Sequence, residues 1–449
     1  MLHVIDYMAH RGPDVYCKRL HCAELKHVKF VVCRATWEEK MKIIRTILAA
    51  TTALTVTSAA QATELEVMHW WTSGGEAAAV GQFAKAFNAT GNNWVDAAIV
   101  GGEQARAVMV SRIMGGDPMG AFQFNHGRQA EELIEAGVLR DITDIAEAEG
   151  WKDIVNPSNL LDACTVDGRI YCAPVNIHSW QWLWVSHKAF EDAGLDVPTN
   201  WDEFVAGAPA LEKAGTLPMA MGQQGWQQTG AFNVLMASLL PSDVYMSVYG
   251  DKNTDVAGGA DVAKVFQAAA DARAMASNST VQNWNEATNL VITGKAGGQI
   301  MGDWAQGEFS VAEAKAGEDY SCLPGLGVNP RLSTGGDAFY FPVLKDEAKI
   351  AAQTELATLM LKPETQVAFN LSKGSLPVRG DIDMSAANDC MRKGLDLLAK
   401  GGLLPDTNML ITPDTSTQLN DLFGQFFTDP SISAAEAQKT FVDIIANAD

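Results

Sequence analysis

What this 449-residue chain lacks narrows its function first. Beyond residue 62 it has no H-E-x-x-H, no paired-cysteine metal spacing and no phosphate loop. A G-x-S-x-G elbow and a G-x-G-x-x-G turn after a strand are absent too. These absences remove the familiar zinc, nucleotide and serine-hydrolase chemistries. Basic residues are scarce: 33 Lys and Arg stand against 54 Asp and Glu, a net charge of −21. Such a surface repels nucleic acid and anionic membranes. Only four histidines (His69, His126, His178 and His187) and four cysteines follow residue 62.

What is present begins with an export signal. Met41-Lys42-Ile43-Ile44-Arg45 is a basic n-region, 46–58 an apolar h-region too short to span a bilayer, and Ala60-Gln61-Ala62 an A-x-A cleavage site. Residues 41–62 therefore read as a Sec-type signal peptide, with Thr63 the expected mature start and the periplasm the destination. Residues 1–40 precede it without periodicity and read as an over-extended gene start. Residues 1–62 hold nine Lys/Arg and five Asp/Glu, which leaves 24 basic against 49 acidic residues, net −25. The remaining 387 residues exceed a single core, so two lobes are expected.

An even set of cysteines in an exported chain argues for disulfides over metal ligation: Cys164, Cys172, Cys322 and Cys390. Three pairings are open. The run from Cys164 to Cys172 looks like a hairpin around Asp167-Gly168, which favours Cys164–Cys172 and leaves Cys322–Cys390. A strict two-residue turn sets Cys164 opposite Tyr171, so this bridge calls for a wider loop or a bulge.

Strand-like and helix-like segments alternate from Thr63 onward, the mark of an α/β fold. A strand over 64–69 ends at Trp70-Trp71, and Ser73 with Glu76 forms a capping box opening a helix with Val80, Phe83 and Phe87 on one face. Further strands are expected at 94–100, 121–124 and 298–302, and helices at 103–114, 128–136 and 283–292. The alternation over 180–185 places Trp180, Trp182 and Trp184 on one strand face, most simply as packing. In an open α/β sheet, ligands bind where strands hand over to helices. Two indoles, flexible glycines and a carboxylate gather at such an edge, and they suit a sugar with apolar C–H faces and a rim of hydroxyls.

The chain resembles extracellular solute-binding proteins (family 1) of sugar-uptake ABC transporters, more narrowly the glucose/mannose-type branch. The residues that carry this are Trp70-Trp71-Thr72-Ser73-Gly74-Gly75-Glu76, Ala121-Phe122-Gln123, Asp167-Gly168-Arg169-Ile170-Tyr171 with Pro174, and Trp284-Asn285-Glu286-Ala287. They continue in Gly302-Asp303-Trp304-Ala305-Gln306-Gly307-Glu308-Phe309 and Lys373-Gly374-Ser375-Leu376-Pro377-Val378-Arg379. The resemblance implies a periplasmic-binding-protein type II fold, two α/β lobes joined by a hinge, with a sugar in the cleft and a membrane permease as partner. By analogy the lobes are 63–176 plus 330–378 and 177–329 plus 379–449.

The same resemblance implies sugar contacts from Trp70, Trp71, Glu76, Gln123, Trp226, Gln227, Asp303, Lys373 and Arg379. His126 joins them as a neighbour of Gln123. Plainer roles exist for several: Asp303 as a helix N-cap, Trp304 as core, Lys373 and Arg379 as surface charges. Two departures leave the sugar's identity open. Leu404-Pro405-Asp406-Thr407-Asn408-Met409 lacks a histidine common in the family, and the strand tip Phe124-Asn125-His126-Gly127 lacks a lysine. No cofactor, metal or catalytic residue is expected, and the receptor is expected to act as a monomer outside the membrane. The alternatives are an exported glycoside hydrolase with a Trp-lined cleft, or a receptor for a polyamine, peptide or iron chelate.

Overall fold

The computed structural model describes residues 62–448; the signal-peptide reading and residues 1–40 lie outside them, apart from Ala62. The first elements are β1 (Glu64–His69), α1 (Gly74–Ala89), β2 (Asn93–Ala98), α2 (Gly102–Met114), β3 (Ala121–Asn125) and β4 (Cys172–Pro174). Next come β5 (Trp182–Ser186), β6 (Leu217–Met219), α3 (Gly225–Leu239), α4 (Trp284–Ile292), β7 (Ala296–Met301), α5 (Ala305–Val311) and β8 (Tyr320–Pro324). They are followed by β9 (Asp337–Tyr340), α6 (Glu347–Met360), α7 (Pro363–Lys373), α8 (Asp389–Ala399) and α9 (Pro413–Thr428).

These strands form two principal sheets, each the centre of one lobe. The first has the order β2-β1-β3-β9-β4, with β1 parallel to β2 and β3, and β9 antiparallel to β3 and β4. The second runs β8-β5-β7-β6, with only β6 and β7 parallel. Alternation along each strand decides which core a side chain joins. In β1, Leu65 and Val67 enter a core with Val80, Phe83 and Phe87 of α1, while Met68 enters another with Ala105, Met109 and Ile113 of α2. In β5, Leu183 and Val185 face the largest core and Trp182 and Trp184 the opposite one. Helices on both faces explain the buried runs in the central strands.

Chain crossings lie side by side between the lobes. Ile177 bridges Leu376 and His178 bridges Gly335, so residues 175–181, 335–336 and 375–378 share a short extended region. The lobes also touch where α1 meets α5. A Cβ on Gly75 would sit 2.5 Å from the Gly307 carbonyl carbon, so two bare backbones meet there. The Gly75 N–H donates to Glu308 Oε1 of α5 at 2.8 Å. No helix among the described residues is long and apolar enough to cross a membrane.

Several local expectations change. Strand β2 ends at Ala98, short of Val100, and the 128–136 helix is a 3-10 turn, Arg128–Ala130, followed by Glu131–Glu135. The Ser73 half of the capping box forms, its Oγ accepting from the Glu76 N–H at 3.4 Å. The Glu76 carboxylate does not return to the Ser73 backbone; Oε2 accepts from Ser73 Oγ and Oε1 from Lys373. The cysteines pair as Cys164–Cys172 and Cys322–Cys390, with Cα separations of 5.1 and 5.9 Å. No wider loop is needed for the first. The turn is a strict two-residue one, with Asp167 and Gly168 both at positive φ, and Cys164 does face Tyr171. The hairpin ladder ends at Ile170, and Cys172 belongs to β4 of the large sheet, so the intervening Tyr171 takes up the offset.

Candidate ligand cleft

A cavity of about 350 Å³ is lined from both lobes. On the first side Trp70 leaves the end of β1, held by its N–H donating to Gln123 Oε1 at 3.1 Å. Its ring stacks on Phe124 at 6.5 Å and lies over Gly102, where a Cβ would be 3.7 Å from the indole. Trp71 faces the other way, as alternation requires. It packs against Phe339 and Phe369 at 5.7 and 5.3 Å and, though nearly fully buried, also lines the cavity. Lys373, in the last turn of α7, ion-pairs with Glu76 at 3.0 Å with both side chains buried. Its Nζ sits 5.4 Å from the Trp71 ring centre and 6.0 Å from that of Trp304.

The second side is an edge-on cluster of indoles. Trp180 meets Trp304 at 4.8 Å and 88°, and Trp226 at 6.0 Å and 71°. Trp284, at the start of α4, meets Trp304 at 6.4 Å and 86°. Such T-shaped contacts are a favoured aromatic geometry and help to fix ring orientation. Gly230 of α3 is required here, because a Cβ would overlap the Trp180 ring. The indole N–H groups of Trp70, Trp180 and Trp304 have no bonding partner among the described residues, whereas Trp226 Nε1 donates to Gln224 Oε1 at 2.9 Å. Neutral amides, Asn125, Asn233, Asn285 and Asn408 among them, complete much of the wall.

A buried carboxylate holds the crossings together. Asp337, at the start of β9, accepts from Gln123 Nε2 at 2.7 Å and Asn176 Nδ2 at 2.9 Å, and His178 Nδ1 lies 3.1 Å away. Burial works against its charge, but His178, Lys373 and the amide donors prevail and hold the carboxyl well below the usual range. Burial likewise opposes a charge on His178, yet Asp337 beside it raises the imidazole above its ordinary value.

Of the ten expected sugar contacts, the structure brings Trp70, Trp71, Glu76, Trp226 and Lys373 to the cavity wall. Gln123, His126, Gln227, Asp303 and Arg379 stand elsewhere. Gln123 is fully buried and braces Trp70 against Asp337. Gln227 is buried and donates to Gln224 Oε1 and the Gln282 carbonyl. His126 is buried with neither ring nitrogen bonded among the described residues, and burial together with the charge on His178 lowers it to about 3. Asp303 turns its Oδ2 to the Ser179 N–H at 2.9 Å, and burial pushes its carboxyl up to about 7 against the pull of His178. It is not the N-cap of α5; Trp304 is. Arg379 pairs with Asp381 at 2.7 Å and donates to the Leu361 carbonyl.

Sequence reasoning passed over Arg106, His178 and Asp337 and assigned Trp180 and Trp304 to packing, yet all five line the wall. Trp180 precedes β5 and so leaves the strand face that carries Trp182 and Trp184. Among the described residues, the grouping nearest to metal-binding spacing is Cys322, Asp389 and Cys390, and its two sulfurs are joined as a disulfide.

Two lobes on separate sheets, several crossings and an indole-lined cavity between them define a cleft-type ligand-binding protein. Residues 71–367 match the model of the bacterial extracellular solute-binding proteins, and the chain belongs to that family. It is 36% identical over 357 residues to a probable sugar-binding periplasmic protein of Brucella melitensis, covering 78% of this chain and 84% of that one. A probable sugar-binding periplasmic protein of Rhizobium meliloti is 34% identical over 363 residues, covering 80% and 86%. Among solved structures, a chitin oligosaccharide binding protein superposes with a TM-score of 0.73 at 18% identity, covering 86% of this chain and 99% of that one.

Proposed function

We propose that this protein is a periplasmic receptor that captures a mono- or small oligosaccharide by closure of two lobes and delivers it to an ABC import permease. The observation that carries this is the edge-on set Trp180, Trp226, Trp284 and Trp304 lining one cavity with Trp70 of the other lobe. Indole faces suit the C–H faces of a pyranose, and unpaired indole N–H groups and side-chain amides suit its hydroxyls. The lobes are 63–176 plus 330–378 and 177–329 plus 379–449, and the receptor works as a monomer. A ligand bridging both lobes stabilises the closed form by its differential affinity for it.

The relatives are named as binding proteins, which supports a receptor over an exported glycoside hydrolase. It performs no covalent chemistry. The test is a sugar panel read by intrinsic tryptophan fluorescence and melting temperature, with chromogenic glycosides as the enzymatic control. A receptor shifts both signals with its sugar and cleaves no glycoside. Absence of any shift across hexoses, pentoses, sugar acids and disaccharides refutes the reading.

A further inference from the structure

The cavity wall sets three carboxylates, Glu76, Glu103 and Asp337, against Lys373, His178 and Arg106, and not all of them meet in pairs. Glu76 is ion-paired with Lys373, and Asp337 with His178. The Glu103 carboxylate accepts from Asn420 Nδ2 at 3.1 Å. Arg106, one turn along α2 from Glu103, lies in the same wall with no hydrogen bond or ion pair among the described residues. It faces a ring instead: the guanidinium carbon lies 5.9 Å from the centre of Phe124, the ring on which Trp70 stacks. A guanidinium without a hydrogen-bond partner is therefore placed beside the Trp70 platform.

We infer that the ligand is an anionic sugar, and that Arg106 receives its carboxylate or phosphate while the ring lies on the indoles. This deepens the receptor reading and rests on it.

A guanidinium is planar, stays charged, and presents two parallel N–H groups that match two oxygens of a carboxylate or phosphate. Partial burial already disfavours its charge: the guanidinium is held below its ordinary value by loss of water, against the pull of Glu132 and Glu103. Hydroxyls of a neutral sugar can occupy its N–H groups but leave that charge with only the attraction of Glu132 and Glu103 to offset it. An anionic group does both, and closure strengthens the pairing as water leaves. The neighbouring amides and indoles carry no charge of their own, and Glu103 on the same wall disfavours an anion, so attraction of an anionic group falls to Arg106.

The experiment is isothermal titration of the mature protein with D-glucuronate, D-galacturonate, glucose 6-phosphate, D-glucose and D-galactose. Wild type, Arg106→Gln and Arg106→Lys are compared. At least one acid is expected to bind about tenfold or more tighter than its neutral parent sugar. Arg106→Gln abolishes that margin, and Arg106→Lys keeps part of it because the charge remains and the fork is lost. The carboxylate and phosphate arms decide which anion is the ligand's. Arg106→Gln gives up only the Phe124 ring contact and the attraction of Glu132 and Glu103, so the unliganded variant melts close to wild type, which separates a binding effect from misfolding. Neutral sugars binding as well as the acids, or Arg106→Gln retaining the preference, overturns the inference and leaves the receptor standing. If no probe binds and the wider sugar panel is equally silent, the receptor reading and the inference fall together.

Discussion

Replacing Lys373 by Met tests how the cleft wall is held. The Lys373 ammonium and the Glu76 carboxylate meet at 3.0 Å, and their side chains are 2% and 9% exposed. Methionine keeps much of the length and apolar stem but removes the charge. Glu76 then keeps only Ser73 Oγ, at 3.2 Å, as a side-chain donor. Leaving one partner of a buried pair uncompensated costs roughly 3–5 kcal/mol. Urea unfolding followed by tryptophan fluorescence should show that loss as a lower midpoint with an unchanged slope. The double variant Glu76→Gln/Lys373→Met carries neither charge and should recover most of the deficit, since the loss comes from the orphaned carboxylate and not from the missing pair. A single-variant loss below about 1 kcal/mol, the range of exposed pairs, refutes this account of the wall. So does a double variant whose loss is the sum of the two singles.

Other consequences follow from named contacts. Gly75→Ala drives a Cβ to 2.5 Å from the Gly307 backbone, which cannot rotate away; a loss of about 1–3 kcal/mol and a more open solution form should appear in thermal melts and small-angle scattering. Trp180→Ala removes the ring that orients both Trp226 and Trp304, and should weaken sugar binding by about tenfold or more in titration calorimetry. His126 is neutral when folded down to a pH of about 3, while the unfolded chain protonates it near 6.5. Its contribution is thus complete above pH 6.5 and lost as pH falls towards 3. His126→Gln should flatten the stability–pH curve across that window by up to about 1.4 kcal/mol per pH unit. Cys322–Cys390 spans 68 residues and Cys164–Cys172 eight, so paired Cys→Ser variants should lose about 4 and about 2.5 kcal/mol in that order.

The parts legible in the sequence were those set by local pattern. The β1 alternation, the Ser73 cap, the helix expected over 283–292 and the Asp167-Gly168 turn all sit within a few residues of the atoms they organise. The exit of Trp70 and Trp71 to opposite sides also follows from strand periodicity alone. What the sequence hid was set by distant partners. Asp337 takes its side-chain partners from Gln123, Asn176 and His178, between 159 and 214 positions away, and nothing near Asp337 announces them. Asp303, in the conspicuous Gly302-Asp303-Trp304 element, turns instead to Ser179 of a chain crossing. Trp180 looked like one of three strand tryptophans because the pattern could not show that β5 begins two residues later, at Trp182. Arg106 carried no motif at all; only the fold brings it into the cavity wall beside Phe124.

The central claim is that indoles from two lobes enclose one sugar. Native mass spectrometry of residues 63–449, purified without denaturant and then incubated with the sugar panel, tests it most directly. The expected spectrum shows a single sugar per chain that disappears in a Trp180→Ala/Trp304→Ala variant still folded by circular dichroism. A protein that retains no sugar from the panel, or a variant that holds the sugar as tightly as wild type, contradicts the claim.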